Sequence, residues 1–254
     1  MDLPRNAFRA GLKGGERQIG IWCSIPNALT VEMLAHCGYD WLLLDTEHSP
    51  ARAEHVLGLL QAAAPYPVSC VVRPAWNDAV EIKKMLDVGA QTLLIPFVQS
   101  PEEAARAVAA TRYPPAGVRG VSGMVRANRI GAVAGYATRA NEEICVLVQV
   151  ETVEAVARIE EIAAVDGVDG IFIGPADLAA SMGFPGQPTH PKVIDAITDA
   201  TRRIRASGCP AGFLSADPDA ARAVAEAGAS FLAVDVDLAV LRRGALARRE
   251  AWRD

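Results

Sequence analysis

The segment ICVLVQVETVEAVARIEEIAAVDGVDGIFIGPAD, residues 144–177, decides the fold. It opens on a nearly continuous apolar run (144–151), passes through an amphipathic stretch, and closes on a second apolar run (170–175). Strands this uniformly apolar are expected in a parallel sheet whose outer face is covered by helices. Gly167, just before the second run, supplies a left-handed helix end. The segment therefore reads as strand, helix, strand.

Working outward, the same unit recurs. Six further apolar runs stand at 18–24, 41–45, 69–74, 92–97, 211–215 and 231–235, separated by alanine-rich amphipathic segments. Ser49-Pro50 and Ser100-Pro101 place an N-cap before a first-turn proline, and Ser100 with Glu103 has capping-box spacing. Asn27 and Asn77 are further N-cap candidates. Gly38, Gly89, Gly208 and Gly228 repeat the helix-end signal of Gly167. Eight strands alternating with helices in 254 residues predict a closed (β/α)8 TIM barrel, which takes roughly 250 residues, rather than an open doubly wound sheet. No linker interrupts the pattern, so residues 1–254 read as a single domain with an added C-terminal helix. That helix carries an apolar stripe, Leu238, Leu241 and Leu246, and a basic outer face. The longest connection, 113–143, is rich in glycine and arginine, follows the fourth strand, and reads as a functional loop.

Composition narrows the function classes. A net charge of −5 argues against nucleic acid, whose phosphates call for clustered positive charge. No apolar run approaches the ~20 residues of a membrane span, and the first residues lack the apolar centre of a signal peptide. The five cysteines have no CxxC spacing and read as reduced core thiols of a cytoplasmic protein.

In a barrel the chemistry sits at the carboxyl ends of the strands. Asp45, Glu47 and His48 end the second run, Arg73 the third, Gln149 and Glu151 the fifth, and Gly174 to Asp177 the sixth, with Asp217 and Asp235 nearby. Glu151 and Asp177, on neighbouring strands, are the best ligands for a hard divalent cation and would leave positions open for substrate. Near helix starts, acids also serve as plain caps. Asp45 and His48 could form an acid–base dyad; His36, His55 and His190 fit ordinary surface histidines. Arg73, after an apolar strand, suits an anionic oxygen, or an internal salt bridge. The turn Gly174-Pro175-Ala176-Asp177 can receive a carboxylate on its free amides. The only lysines, Lys13, Lys83, Lys84 and Lys192, end no core strand, which disfavours a Schiff-base route. A nucleotide cofactor has no motif in support.

At WLLLDTEHSP (41–50), VVRPAWND (71–78), LDVGAQTLLIPFVQS (86–100), RYPPAGVRGV (112–121), LVQVETVEAV (147–156) and VDGIFIGPADLAASMG (168–183) the chain resembles the HpcH/HpaI aldolase family, across about residues 18–240. The resemblance implies a metal-dependent (class II) aldolase that joins and cleaves pyruvate-like 2-keto acids and aldehydes. It implies Glu151 and Asp177 as ligands of Mg²⁺, Mn²⁺ or Co²⁺, His48 as general base paired with Asp45, and Arg73 on the substrate keto oxygen. It further implies a carboxylate-binding turn at Gly174, Pro175, Ala176 and Asp177, and Asp87 acting on the aldehyde across a subunit boundary. Family members are typically hexamers, trimers of dimers with an exchanged C-terminal helix. The aldehyde is then expected near Trp22, Leu214 and the long loop, with Glu47 as the alternative base and Gln149 lining the site. The residues after AVDVD vary among relatives. Two other readings stand beside this one: a CoA-ester lyase of the citrate lyase or malyl-CoA lyase type, using the arginines of 113–143, and a non-catalytic keto-acid-binding protein.

Overall fold

The computed structural model describes residues 1–253. Eight parallel strands close into a barrel in sequence order: β1 (Gln18–Cys23), β2 (Trp41–Asp45), β3 (Ser69–Arg73), β4 (Thr92–Ile95), β5 (Cys145–Val150), β6 (Gly170–Ile173), β7 (Ala211–Leu214) and β8 (Phe231–Val236). The TIM barrel read from the sequence is the fold, and each strand lies within or overlaps its predicted run.

Two cores follow from the alternation of side chains along each strand. Leu42, Leu44, Val72, Leu93, Val146, Val148, Ile171 and Ile173 pack outward beneath the helices. Trp22, Trp41, Leu43, Val71, Leu94, Leu147, Phe172 and Phe231 fill the interior, with Leu214 packed against them. Gly20 makes room for this filling, because a Cβ there would stand 2.3 Å from the Trp41 ring.

The amino end of the barrel is plugged by a helix that strand patterning did not reveal, Ala7–Gly14. Its fully buried Phe8 meets Trp41 and Phe231 edge-on, with ring centroids 5.8 and 5.7 Å away. Such aromatic contacts are worth about 0.5–1.5 kcal/mol each beyond their buried area. Closing this end leaves the carboxyl end as the mouth.

The helix signals held in part. Asn27 caps Ala28–Ala35, and Ser100 caps Pro101–Thr111 with Pro101 in the first turn. Glu103 completes a variant of the box, accepting from the amide of Gln99 rather than of Ser100. Ser49-Pro50 starts no helix: Ser49 donates to the Asp45 carbonyl, and the helix runs Ala53–Ala63. Asp78, not Asn77, caps Ala79–Asp87, while Asn77 donates to the Glu103 carbonyl. The five helix-end glycines all have positive φ. All five thiols are free, but Cys37 is exposed, not a core residue.

The long segment 113–143 lies elsewhere than expected. It comes after the helix Pro101–Thr111, which returns the chain to the amino end, and it leads directly into β5. It therefore belongs to the plugged end, opposite this chain's own mouth. No described helix is long and apolar enough to cross a membrane.

Candidate active site

The strand period brings the polar residues together. Asp45 and Arg73 are direct partners in the β2–β3 ladder, so both side chains enter the barrel at one level. Gln149 takes the same inward parity on β5, and Glu151 follows two residues later. The site is thus built on strand ends, with Trp22 and Phe172 as its floor, ring centroids 5.5 Å apart.

Arg73 is the hub. Its Nε and Nη2 donate to Asp45 Oδ1 and Oδ2 at 2.9 and 2.8 Å. Its Nη1 lies 2.8 Å from Glu47 Oε2, an ion pair without hydrogen-bond alignment. Its guanidinium carbon sits 4.7 Å from the centroid of the Trp22 ring, and the Trp22 indole donates to Asp45 Oδ2 at 3.3 Å. Trp22 is buried and therefore supports Arg73 from below. Burial alone pushes the Asp45 carboxyl up. The hydrogen bonds and charge of Arg73, with the Glu47 amide and the Trp22 indole, outweigh it and hold the group below its ordinary value. Glu47 stands the other way: burial raises it, Arg73 pulls it down, and the charges of Asp45 and Asp177 leave it raised.

This arrangement corrects the expected Asp45–His48 dyad. Asp45 meets His48 only through the backbone amide, at 3.5 Å. The His48 imidazole is 67% exposed, and its charged neighbour is Glu47, with Nε2 3.9 Å from Oε1. The guanidinium on the adjacent strand claims the Asp45 carboxylate before the imidazole, which stands on the loop beyond. The remaining histidines have local partners: His36 packs on Tyr66 with the rings tilted, His190 stacks on Phe184, and His55 accepts from the Arg52 amide.

Glu151 is the second focus. It is 2% exposed. Its Oε1 accepts from the Phe97 amide at 2.9 Å and its Oε2 from the Gln149 side chain at 2.5 Å. Burial, resisted by these bonds and reinforced by the charges of Asp177 and Glu47, pushes its carboxyl up to about 7. Gly174 is what allows this carboxylate its place, since a Cβ there would lie 2.4 Å from Oε2. Asp177 is exposed in the first turn of the helix Pro175–Ser181. A buried carboxylate raised by the charge of a second, and backed by Gln149 and an amide, fits a hard cation: the cation would relieve that repulsion and accept oxygen donors. Among the described residues no three His, Cys, Asp or Glu side chains gather as a metal cage. A cation held by this pair would leave positions for water and substrate.

Other candidates fall outside. Asp217 caps the helix Pro218–Glu226, and Asp235 pairs with Arg243. The Lys13, Lys83, Lys84 and Lys192 side chains stand on helices, not at strand ends. Asp87 ends the helix Ala79–Asp87 at the plugged end, where it pairs with the fully buried Arg119 at 2.8 Å; it cannot serve its own chain's mouth. Two contributors escaped sequence reading. Phe97 acts through a backbone amide, which leaves no side-chain signal. Asp237 accepts from the amides of Ser24 and Ile25, each at 3.0 Å, and ties the end of β1.

Known proteins resemble this chain in sequence and in fold. The family model for HpcH/HpaI aldolase/citrate lyase matches residues 18–244. A hydroxypyruvate/pyruvate aldolase of Sagittula stellata is 62% identical over 252 residues, covering 99% of this chain and 100% of the relative. A 4-hydroxy-2-oxo-heptane-1,7-dioate aldolase of Salmonella heidelberg is 54% identical over 242 residues, covering 95% and 92%. The crystal structure of an HpcH/HpaI aldolase/citrate lyase family protein from Burkholderia cenocepacia superposes with a TM-score of 0.94 at 39% identity, covering 98% of this chain and 100% of that one. With the barrel, the strand-end polar cluster and matches spanning nearly its whole length, the chain belongs to the HpcH/HpaI aldolase/citrate lyase family.

Proposed function

We propose that this chain is a divalent-metal-dependent aldolase, a carbon–carbon lyase that adds pyruvate or hydroxypyruvate to an aldehyde and cleaves the product in reverse. The observation that carries the reading is the buried Glu151, its carboxyl pushed up by burial and by the charge of Asp177, at the same barrel mouth as the fixed guanidinium of Arg73. The names of the relatives at 62% and 54% identity point to the same keto-acid chemistry.

Glu151 and Asp177 would hold Mg²⁺, Mn²⁺ or Co²⁺, which when bound supplies Lewis acidity toward the keto group. The free amides of the Gly174–Asp177 turn receive the keto acid's carboxylate. His48 takes a proton from C3, with Glu47 beside it; the electron pair left behind forms the C2–C3 double bond of an enolate. Arg73, held by Asp45 and Glu47, presents its remaining N–H donors to the enolate oxygen, already oriented. C3 then attacks the aldehyde carbonyl, and a proton returns to the new alkoxide.

Neither rival reading gains a supporting contact. The arginines of 113–143 stand at the plugged end, so within one chain they offer no groove for a CoA ester at the mouth. A pure binding protein would have no use for an exposed imidazole beside an oriented guanidinium. The chain's own surface also suggests assembly into the homohexamer expected from the resemblance: Leu238, Leu241 and Leu246 of the C-terminal helix, and Val118, Val121 and Met124 of the long segment, are all exposed.

The test is release of pyruvate or hydroxypyruvate from their aldol adducts. Chelator should abolish it and Mn²⁺, Mg²⁺ or Co²⁺ restore it. Full activity in excess EDTA, together with a borohydride-trapped lysine adduct, would overturn the reading.

A further inference from the structure

With the long segment at the plugged end and Trp22 buried beneath Arg73, this chain's mouth needs another wall for the aldehyde. The loops after β3 and β4 supply one. Trp76 is 52% exposed and Phe97 37%, although both are large apolar residues that gain from burial. Their rings stack on each other with centroids 5.6 Å apart and planes inclined by 27°.

The stack is fixed to the site. The Phe97 amide donates to Glu151 Oε1 at 2.9 Å, so its ring stands one residue's reach from the cluster. Phe97 adopts φ 52°, in the left-handed region that non-glycine residues rarely occupy. With the amide held on the carboxylate, that conformation sets the direction of the ring. Trp76 is anchored by its neighbour Asn77, whose side chain donates to the Glu103 carbonyl at 3.2 Å.

We propose that the stacked faces of Trp76 and Phe97 select the acceptor aldehyde, favouring those with a flat, unsaturated or aromatic group beside the carbonyl. The inference rests on the aldolase reading and deepens it. Ring faces are electron-rich and offer broad apolar contact to a second flat group, while they repel a carboxylate tail. Arg73, the nearby cation, is already paired with Asp45 and Glu47, and on the aldolase reading its remaining donors go to the enolate oxygen, which leaves none for such a tail.

The experiment compares kcat/KM for addition of pyruvate to benzaldehyde, glycolaldehyde and succinic semialdehyde, with Mn²⁺ present. The unaltered protein should prefer benzaldehyde to succinic semialdehyde. In Trp76→Ala, and separately in Phe97→Ala, the benzaldehyde-to-glycolaldehyde ratio should fall by roughly tenfold, the loss of a stacked contact and its apolar area. Both positions are solvent-facing, so the variants should fold. An unchanged ratio would overturn the proposal, including when Trp76→Ala alters only the molar mass in solution, which would make the stack a subunit contact. Exchange of the C3 protons of pyruvate without aldehyde reports on the aldolase reading separately. If the unaltered protein fails to exchange them, that reading falls; if it exchanges them but prefers the acidic aldehyde, only the selector falls.

Discussion

Arg73 and Asp45 stand opposite one another in the β2–β3 ladder, and the guanidinium closes on the carboxylate through two parallel hydrogen bonds of 2.9 and 2.8 Å. Both side chains are nearly inaccessible, at 6% and 1% exposure. Replacing Arg73 by Met would leave Asp45 and Glu47 without their cation. Removal of one partner from a buried pair costs about 3–5 kcal/mol, so the urea midpoint should drop sharply. Arg73→Lys keeps a charge but loses the fork. It should fold and lose about 10²-fold or more in kcat. Wild-type kcat in the lysine variant would show that the fork has no catalytic role.

His48 is predicted to act without direct help from the Asp45 carboxylate. His48→Ala should slow both C3 deuterium exchange of pyruvate and aldol cleavage by ~10²–10⁴-fold, the usual contribution of a general base. Binding of oxalate, which resembles the enolate of pyruvate, should survive. Exchange at the wild-type rate would transfer the role to Glu47, the half-buried carboxylate 3.9 Å from the imidazole.

The Glu151 carboxyl, raised from 4.5 to about 7, makes cation binding a competition with one proton. The sign is fixed by linkage: below pH 7 the metal-free site is protonated, so binding must release that proton. Affinity for Mn²⁺ should rise with pH by up to about tenfold per unit until pH 7, then level off. The metal-free chain has the opposite trend from this group. Its contribution to stability is present below the unfolded value and is lost as pH rises through about 7. Calorimetry in buffers of different ionisation enthalpy reads the proton count; none released at pH 6 would refute the assignment.

Asp87 lies at the plugged end beside Arg119, so any effect of it on turnover has to cross between chains. A hexamer is expected by light scattering. Asp87→Ala mixed with an inactive His48→Ala protein should regain activity when subunits exchange, because the mixture contains sites with an intact histidine and a neighbour's intact aspartate. A fully active monomer would rule this out.

The sequence by itself determined the barrel. Apolar continuity marks a strand covered on both faces, and glycine marks a helix end; both are local properties that survive without knowledge of neighbours. Position at strand ends also marked Asp45, Arg73, Gln149 and Glu151 as candidates, and alternation along the folded strands sets Asp45, Arg73 and Gln149 on the inner face. The helix starts were less legible: Asn77 and Asp78 are both good caps, and only the chain's path gave the role to Asp78. Three matters belonged to the tertiary structure. Which partner takes Asp45 depends on ladder register, and the guanidinium on β3 is closer than the imidazole three residues along the chain. Which end of the barrel receives 113–143 depends on where the preceding helix stops. That Glu151 retains its proton near neutrality depends on burial and on Asp177 and Glu47, charges brought from other strands. Residue types and spacing specify what each group can do, but electrostatics falls off with distance through space, and only the folded chain sets those distances.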